Sequence, residues 1–249
     1  MNVGGISLRI ELDPQFAQEV LDKIAVREFS DRSGTHATDL IFCLNKQALR
    51  KLRNPKPTDE EILLFSLGWS TQRWLSGSFE PDTVIIKDGI QLSLDSIIVP
   101  SEGGKMPQPW ELKATYQSST RDIHENIHWI RQVMGYCCAI NSTTAKLTRL
   151  SIMGDWKWVF KPKGFKDWSE EEQETFKLAH SRPTLQAWKL EFTQEELDKF
   201  WEWMKARRDA YEDILKTGRL VPSVCALASG QEWECKFCNY QEECNHTIE

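Results

Sequence analysis

Apolar positions recur at helical spacing through residues 8–30, with a proline near the start, and again through 37–53 and 58–79. Thr58 followed by Glu61 opens the 58–79 segment as a capping box. The period then changes to that of strands. Thr83-Val84-Ile85-Ile86, the turn Lys87-Asp88-Gly89 and an apolar run over 90–99 predict a β-hairpin, because Asp-Gly between apolar runs favours a tight turn. A loop over 100–109 containing Gly and Pro leads to a strand over 110–116. Helical spacing returns over 122–140, followed by a strand over 145–153. A last helix over 193–216 opens on Thr193 with Glu196 and closes at Gly218. Residues 161–190 are polar, aromatic-containing and without a period, which predicts a peripheral insertion, and the last 30 residues are also aperiodic. Strand, strand, helix, strand predicts an α/β sheet flanked by helices.

Three charges interrupt the apolar strands. Asp95 lies in Leu92-Ser93-Leu94-Asp95-Ser96-Ile97-Ile98-Val99, while Glu111 and Lys113 lie in Trp110-Glu111-Leu112-Lys113. In a strand, residues i and i+2 share a face, so Glu111 and Lys113 point one way and Leu112 the other. Burying ionised groups is costly unless they meet a metal or one another. Asp95, Glu111 and Lys113 together therefore predict a metal-dependent hydrolytic site, in the Asp…Glu-x-Lys pattern of phosphodiester cleavage; the competing reading is an exposed salt bridge on a solvated sheet face. In the next helix Gln132 and Tyr136 are four residues apart and share one face.

Composition narrows the setting. A chain of 249 residues, 40% hydrophobic and 27% charged, can form one large domain or a domain with an appendage. No apolar run approaches the roughly 20 residues a bilayer span needs, and Met1 to Ser7 lack the basic region of a secretory signal, so the expected setting is soluble and cytosolic. The net charge of −6 counts against phosphate binding, yet Lys46, Arg50, Lys51, Arg53 and Lys56 form a run with no acid between them. A solvated helix face and a DNA-facing patch both fit that run. Trp110 and Trp129 are candidates for stacking on unpaired bases.

Seven cysteines, an odd number, argue for thiols or metal ligation over a disulfide framework. Cys235, Cys238 and Cys244 have the spacing C-x2-C-x5-C, tight enough for one metal centre. Candidates for a fourth ligand are Cys43, Cys225 and His246: His246 completes a local zinc site, Cys43 an all-thiolate set suited to an iron–sulfur cluster, and Cys225 could be merely buried. Cys137 and Cys138, mid-helix among apolar residues, read as core.

Taken in order, Cys43, Asp95, Glu111-Leu112-Lys113, Gln132-x3-Tyr136 and Cys235, Cys238 and Cys244 resemble the pattern of RecB-like PD-(D/E)XK nucleases with an iron–sulfur cluster. Within them the chain looks most like the CRISPR-associated Cas-four exonucleases and their virus-encoded relatives, over residues 35–155 and 215–249. The resemblance implies a restriction-endonuclease-like core, a mixed central sheet flanked by helices, closed by a C-terminal cysteine-rich iron–sulfur segment. It implies one nuclease domain over 1–249, with a core of about 35–155, an insertion at 161–190 and a helix and cluster-binding tail over 193–249. A [4Fe-4S] cluster would be held by Cys43, Cys235, Cys238 and Cys244. Mg2+ or Mn2+ would be held by Asp95, Glu111 and the Leu112 carbonyl, with Lys113 orienting the attacking water or offsetting phosphate charge, and Gln132 and Tyr136 positioning DNA or supporting Lys113. The family often has His in a Gly-x3-His setting where this chain has Gly68-Trp69-Ser70-Thr71-Gln72, so Gln72 is the candidate for that position. The implied activity is exonucleolytic hydrolysis of single-stranded DNA or DNA ends, with CRISPR adaptation or viral recombination proteins as partners. The alternatives are a catalytically weak DNA-binding adaptor, or a nuclease with zinc in its tail.

Overall fold

The computed structural model describes residues 2–3, 6–7, 13–28, 33–77, 83–99, 106–115, 122–151, 162–179, 184–227 and 232–244. Its elements run β1 (Asn2–Val3), β2 (Ile6–Ser7), α1 (Pro14–Glu28), β3 (Thr35–His36), α2 (Ala37–Ile41), α3 (Leu44–Arg53), α4 (Asp59–Ser76), β4 (Thr83–Lys87), β5 (Ile90–Leu94), β6 (Ser96–Ile98), β7 (Gln108–Thr115), α5 (Ile127–Ile140), β8 (Thr144–Ser151), α6 (Glu170–Ala179), β9 (Thr184–Glu191), α7 (Gln194–Thr217) and α8 (Ser223–Ala226). Apart from the β1-β2 pair, the strands form two mixed sheets flanked by helices. One has the order β3-β5-β4, with β3 parallel and β4 antiparallel to β5. The other has the order β6-β7-β8-β9, with parallel β7 and β8 at its centre and antiparallel edges. Helix α5 joins β7 to β8, the long crossover that parallel neighbours require.

Local chemistry sets several boundaries as expected. The Thr58 hydroxyl accepts from Glu61 N–H while the Glu61 carboxylate accepts from Thr58 N–H, closing the N-terminus of α4; Thr193 and Glu196 do the same for α7. Asp88 and Gly89 have φ of 49° and 74°, the paired positive angles of a two-residue primed turn between β4 and β5. The Asp88 carboxylate also accepts from Trp201 Nε1 at 2.7 Å, pinning the turn to α7.

The core lies where β5, α2, α5 and α7 meet. Ile90, Leu92 and Leu94 alternate inward along β5, all at most 1% exposed. Leu197, Trp201, Met204, Tyr211 and Ile214 form the buried stripe of α7 at helical spacing. Each such large aliphatic side chain contributes about 1.5–3 kcal/mol by leaving water. Gly135 permits the close approach of α5 to β5, since a Cβ there would lie 3.2 Å from Leu92 Cδ2.

Four segments depart from the expectations. The helix expected over 37–53 is two helices, because Cys43 has ψ of 116° and its N–H leaves the helical ladder to donate to Glu234 Oε1 at 3.1 Å. The strand expected over 90–99 breaks at Asp95: β5 stays in one sheet and β6 enters the other, paired Ser96↔Trp110 with β7. Segment 161–190, expected to be irregular, contains a 3-10 turn (Phe165–Asp167), α6 and β9, which pairs with the whole of β8 from Thr144↔Glu191 to Ser151↔Thr184. An exposed edge strand has polar and apolar residues on both faces, so its alternation is weak. Within the tail, α8 and a 3-10 segment (Glu232–Phe237) are regular though short. Among the described residues, no helix is long and apolar enough to cross a membrane.

Candidate functional site

The break at Asp95 is what assembles the site. Beyond the Ser96↔Trp110 pair the β6 ladder ends, and the Asp95 side chain takes over its role on β7: Oδ2 accepts from Leu112 N–H at 2.7 Å. Helix α4 packs on β7. There the Gln72 amide donates to Asp95 Oδ1 at 3.2 Å and to Leu112 O at 3.1 Å. Asp95, the Leu112 carbonyl and Gln72 are thereby brought together.

Glu111 is wholly buried in the adjacent position of β7, and the Lys113 ammonium on the same face is its ion-pair partner. Among the described residues, neither Glu111 oxygen has a hydrogen-bond donor of ordinary geometry. This is not the exposed salt bridge of a solvated sheet, since Lys113 itself is only 18% exposed.

Gln132 and Tyr136 act on Lys113 in sequence. Tyr136 OH donates to Ser93 O at 2.6 Å and accepts from Gln132 Nε2 at 2.6 Å, which leaves Gln132 Oε1 to accept from Lys113 Nζ at 2.9 Å. The tyrosine hydroxyl thus sets which end of the Gln132 amide faces the lysine. Burial, then the negative charges of Glu111 and Asp95, hold the Tyr136 pKa well above that of a free phenol, so it remains a protonated donor.

Cys43, Cys235, Cys238 and Cys244 line one pocket, with Leu49 and Tyr240 in its wall. Burial pushes the Cys43 thiol up to about 11, opposed by the Lys46 backbone N–H and reinforced by Glu234 and the other thiols; Cys235 and Cys244 are also raised, chiefly by burial. Of the other candidates for the fourth ligand, Cys225 is exposed in α8, contrary to the expectation of burial, and His246 lies outside the described residues. Cys137 and Cys138 are buried in the core, their thiols pushed up to about 12 and about 11 by burial. Among the described residues, no three or more His, Cys, Asp or Glu side chains converge as a single metal ion needs. A tetrahedral ion with bonds of about 2.3 Å draws its thiolates to within roughly 4 Å of one another. The four thiols surround a pocket without closing to such a set, and on β7 the third oxygen donor is a backbone carbonyl.

Several residues of this region carry no motif. Asn45, 1% exposed, accepts from Val221 N–H at 3.1 Å and donates from Nδ2 to Val221 O at 2.9 Å and to Cys244 Sγ at 3.2 Å. Arg207, in the stripe of α7, donates to the Leu40 and Phe42 carbonyls left open where α2 ends; burial lowers its pKa to about 10. His128, one turn before Gln132, packs its ring 5.5 Å from Phe42, 5.6 Å from Trp129 and 6.3 Å from Trp233. Burial, then the Lys113 and Arg131 charges, lower its pKa to about 4. Its signal in the sequence is the 128-132-136 spacing, which extends the Gln132 and Tyr136 face by one turn.

The basic run is largely answered within the chain. Lys46 pairs with Glu234 at 3.7 Å, Arg50 with Glu61 at 3.8 Å and Arg53 with Glu243 at 2.5 Å, while Lys51 Nζ donates to Gly34 O at 2.5 Å. That geometry favours a solvated, ion-paired face over a DNA-facing patch. Trp110 shares the Leu112 face of β7, opposite Glu111, and its indole N–H donates to Thr148 Oγ1 at 2.8 Å, which places it on the face away from Glu111 and Lys113. Trp129 is half-buried.

No protein-family model and no curated protein sequence matches the chain. Among solved structures, the crystal structure of SSO0001 is similar, with a TM-score of 0.54 at 14% identity, over 94% of this chain and 98% of that one. Likeness at this identity concerns the fold, which the two chains share nearly end to end.

Proposed function

We propose that the chain is a metal-dependent DNA exonuclease of the RecB-like PD-(D/E)XK kind, similar to the CRISPR-associated Cas-four exonucleases and their virus-encoded relatives, acting in the cytoplasm on single-stranded DNA or DNA ends. In this reading the β6-β7-β8-β9 sheet with α4 and α5 is a restriction-endonuclease-like core, and the tail is its iron–sulfur closure. The observation that carries it is the Glu111 carboxylate, wholly buried, with the Lys113 ammonium as its ion-pair partner and, among the described residues, no hydrogen bond of ordinary geometry to either oxygen. A carboxylate in that condition costs several kcal/mol unless more positive charge answers it. Asp95, Glu111 and the Leu112 carbonyl are hard oxygen donors of the kind Mg2+ and Mn2+ prefer.

The ion, when bound there, supplies Lewis acidity at a phosphoryl oxygen and a water of lowered pKa. Lys113, held between Glu111 and Gln132, places an ammonium in a partly dry setting, where it can offset charge growing on a phosphate. Gln132 and Tyr136 hold Lys113 in register with β5 through the Ser93 carbonyl, so they position the lysine. Cys43, Cys235, Cys238 and Cys244 would hold a [4Fe-4S] cluster, an all-thiolate group that would tie the start of α3 to the tail. CRISPR adaptation or viral recombination proteins are the partners this reading implies.

The test is degradation of end-labelled single-stranded DNA with Mn2+ or Mg2+. The wild type is expected to cleave and Lys113→Ala to be inert. No cleavage by the wild type with any divalent ion would leave the weakly catalytic adaptor standing, which the Gln72 amide lodged against Asp95 and Leu112 O favours. Anaerobically purified protein is expected to be brown and to contain iron and sulfide. Colourless, zinc-containing protein would overturn the cluster.

A further inference from the structure

Gln72 occupies the space between two of the oxygens that would bind the cation. Its Nε2 donates to Asp95 Oδ1 at 3.2 Å and to Leu112 O at 3.1 Å. Both neighbours present acceptors there, so only the amino end of the carboxamide can face them; turned over, Oε1 would meet the carboxylate and the carbonyl lone pair to lone pair. The acceptors have little freedom to turn away. Asp95 Oδ2 is held by Leu112 N–H at 2.7 Å, and Leu112 lies in a central strand that is paired in register with β8. An amino group, carrying partial positive charge, therefore stands where the ion's charge belongs. A cation of Mg2+ size draws its oxygen ligands in to about 2.0–2.1 Å, so the ion and that amino group cannot share the space.

We propose that Gln72 is an internal competitor for the divalent cation: both of its hydrogen bonds must break, and the carboxamide must leave, before Asp95 and the Leu112 carbonyl can close on an ion. The inference rests on the metal reading of this site and adds a control to it. The site fills at a higher cation concentration than its oxygen donors alone would set. Water replaces both hydrogen bonds once the carboxamide departs, so only their net value counts, which corresponds to about tenfold in the apparent dissociation constant.

The experiment titrates Mn2+ into dialysed full-length protein and follows free Mn2+ by its electron paramagnetic resonance signal. Gln72→Ala is expected to bind about tenfold more tightly than the wild type, and Asp95→Asn to abolish binding in both backgrounds. Gln72→Met, of similar length but with no N–H donor and only a soft thioether, gives the same comparison if the alanine variant folds poorly. Equal or weaker Mn2+ binding by variants that keep the wild-type unfolding temperature overturns the inference. No saturable binding by wild type or variants overturns the metal reading itself, so the two failures are distinguishable.

Discussion

Replacing Lys113 with methionine should destabilise the metal-free protein and make its stability depend on a divalent ion. Glu111 is 0% exposed and Lys113 only 18% exposed, so methionine preserves most of the packed volume while leaving a buried carboxylate with no counter-charge. Removing one partner of such a pair costs about 3–5 kcal/mol. The partial exposure of Lys113 places this case near the lower end, about 3 kcal/mol. For a chain of this size that corresponds to a fall of roughly 6–12 °C in unfolding temperature. The assay is thermal unfolding of wild type, Lys113→Met and Lys113→Met/Glu111→Gln, with and without Mn2+. The double variant should regain most of the loss, because it no longer buries a lone charge. Mn2+ should raise the single variant more than the double, because a cation on Glu111 supplies what the lysine did. A Lys113→Met protein as stable as the wild type, or one rescued by neither Mn2+ nor Glu111→Gln, would refute the account of Glu111 as a buried carboxylate awaiting a cation.

Asn45→Leu keeps the volume but loses the N–H donated to Cys244, so the proposed cluster, once reconstituted, should bleach several-fold faster under an iron chelator, read by its visible absorbance. An unchanged bleaching rate would mean that this contact does not support the cluster. His128 is neutral in the fold, with its pKa lowered to about 4 from 6.5. Between those values the unfolded chain binds more protons than the folded one. The stability His128 contributes is therefore complete above about pH 6.5 and is lost as pH falls towards 4, and His128→Phe should flatten denaturant midpoints across that window.

Legibility followed the range of the interaction. The capping boxes at Thr58 and Thr193 and the Asp88-Gly89 turn stood as expected, because each is decided within four residues. Asp95, Glu111, Gln132 and Tyr136 were recognisable because a charge in an apolar strand, or a polar pair at helical spacing, needs a reason in any fold. The long partners were not recognisable. Nothing near Asp95 in the chain shows that the strand splits there between two sheets, and nothing in 184–191 shows that it is the partner of β8. Cys43 looked mid-helix because the Glu234 that draws its N–H away lies 191 residues further on.

By itself, the order of residues determined many of the elements and the donor types, and left the partner of the three tail thiols open among Cys43, Cys225 and His246, since propensity, capping and ligand chemistry are properties of residues and their near neighbours. Only the tertiary structure decided that Tyr136 and Gln132 serve Lys113, that four of the five charges in the basic run are answered inside the chain, and that the Gln72 amide lies against the oxygens a cation would need. Those outcomes depend on which groups meet across tens of residues. Burial then sets what each meeting is worth, because a charge or hydrogen bond counts for little in water and for much at a site from which water has been removed.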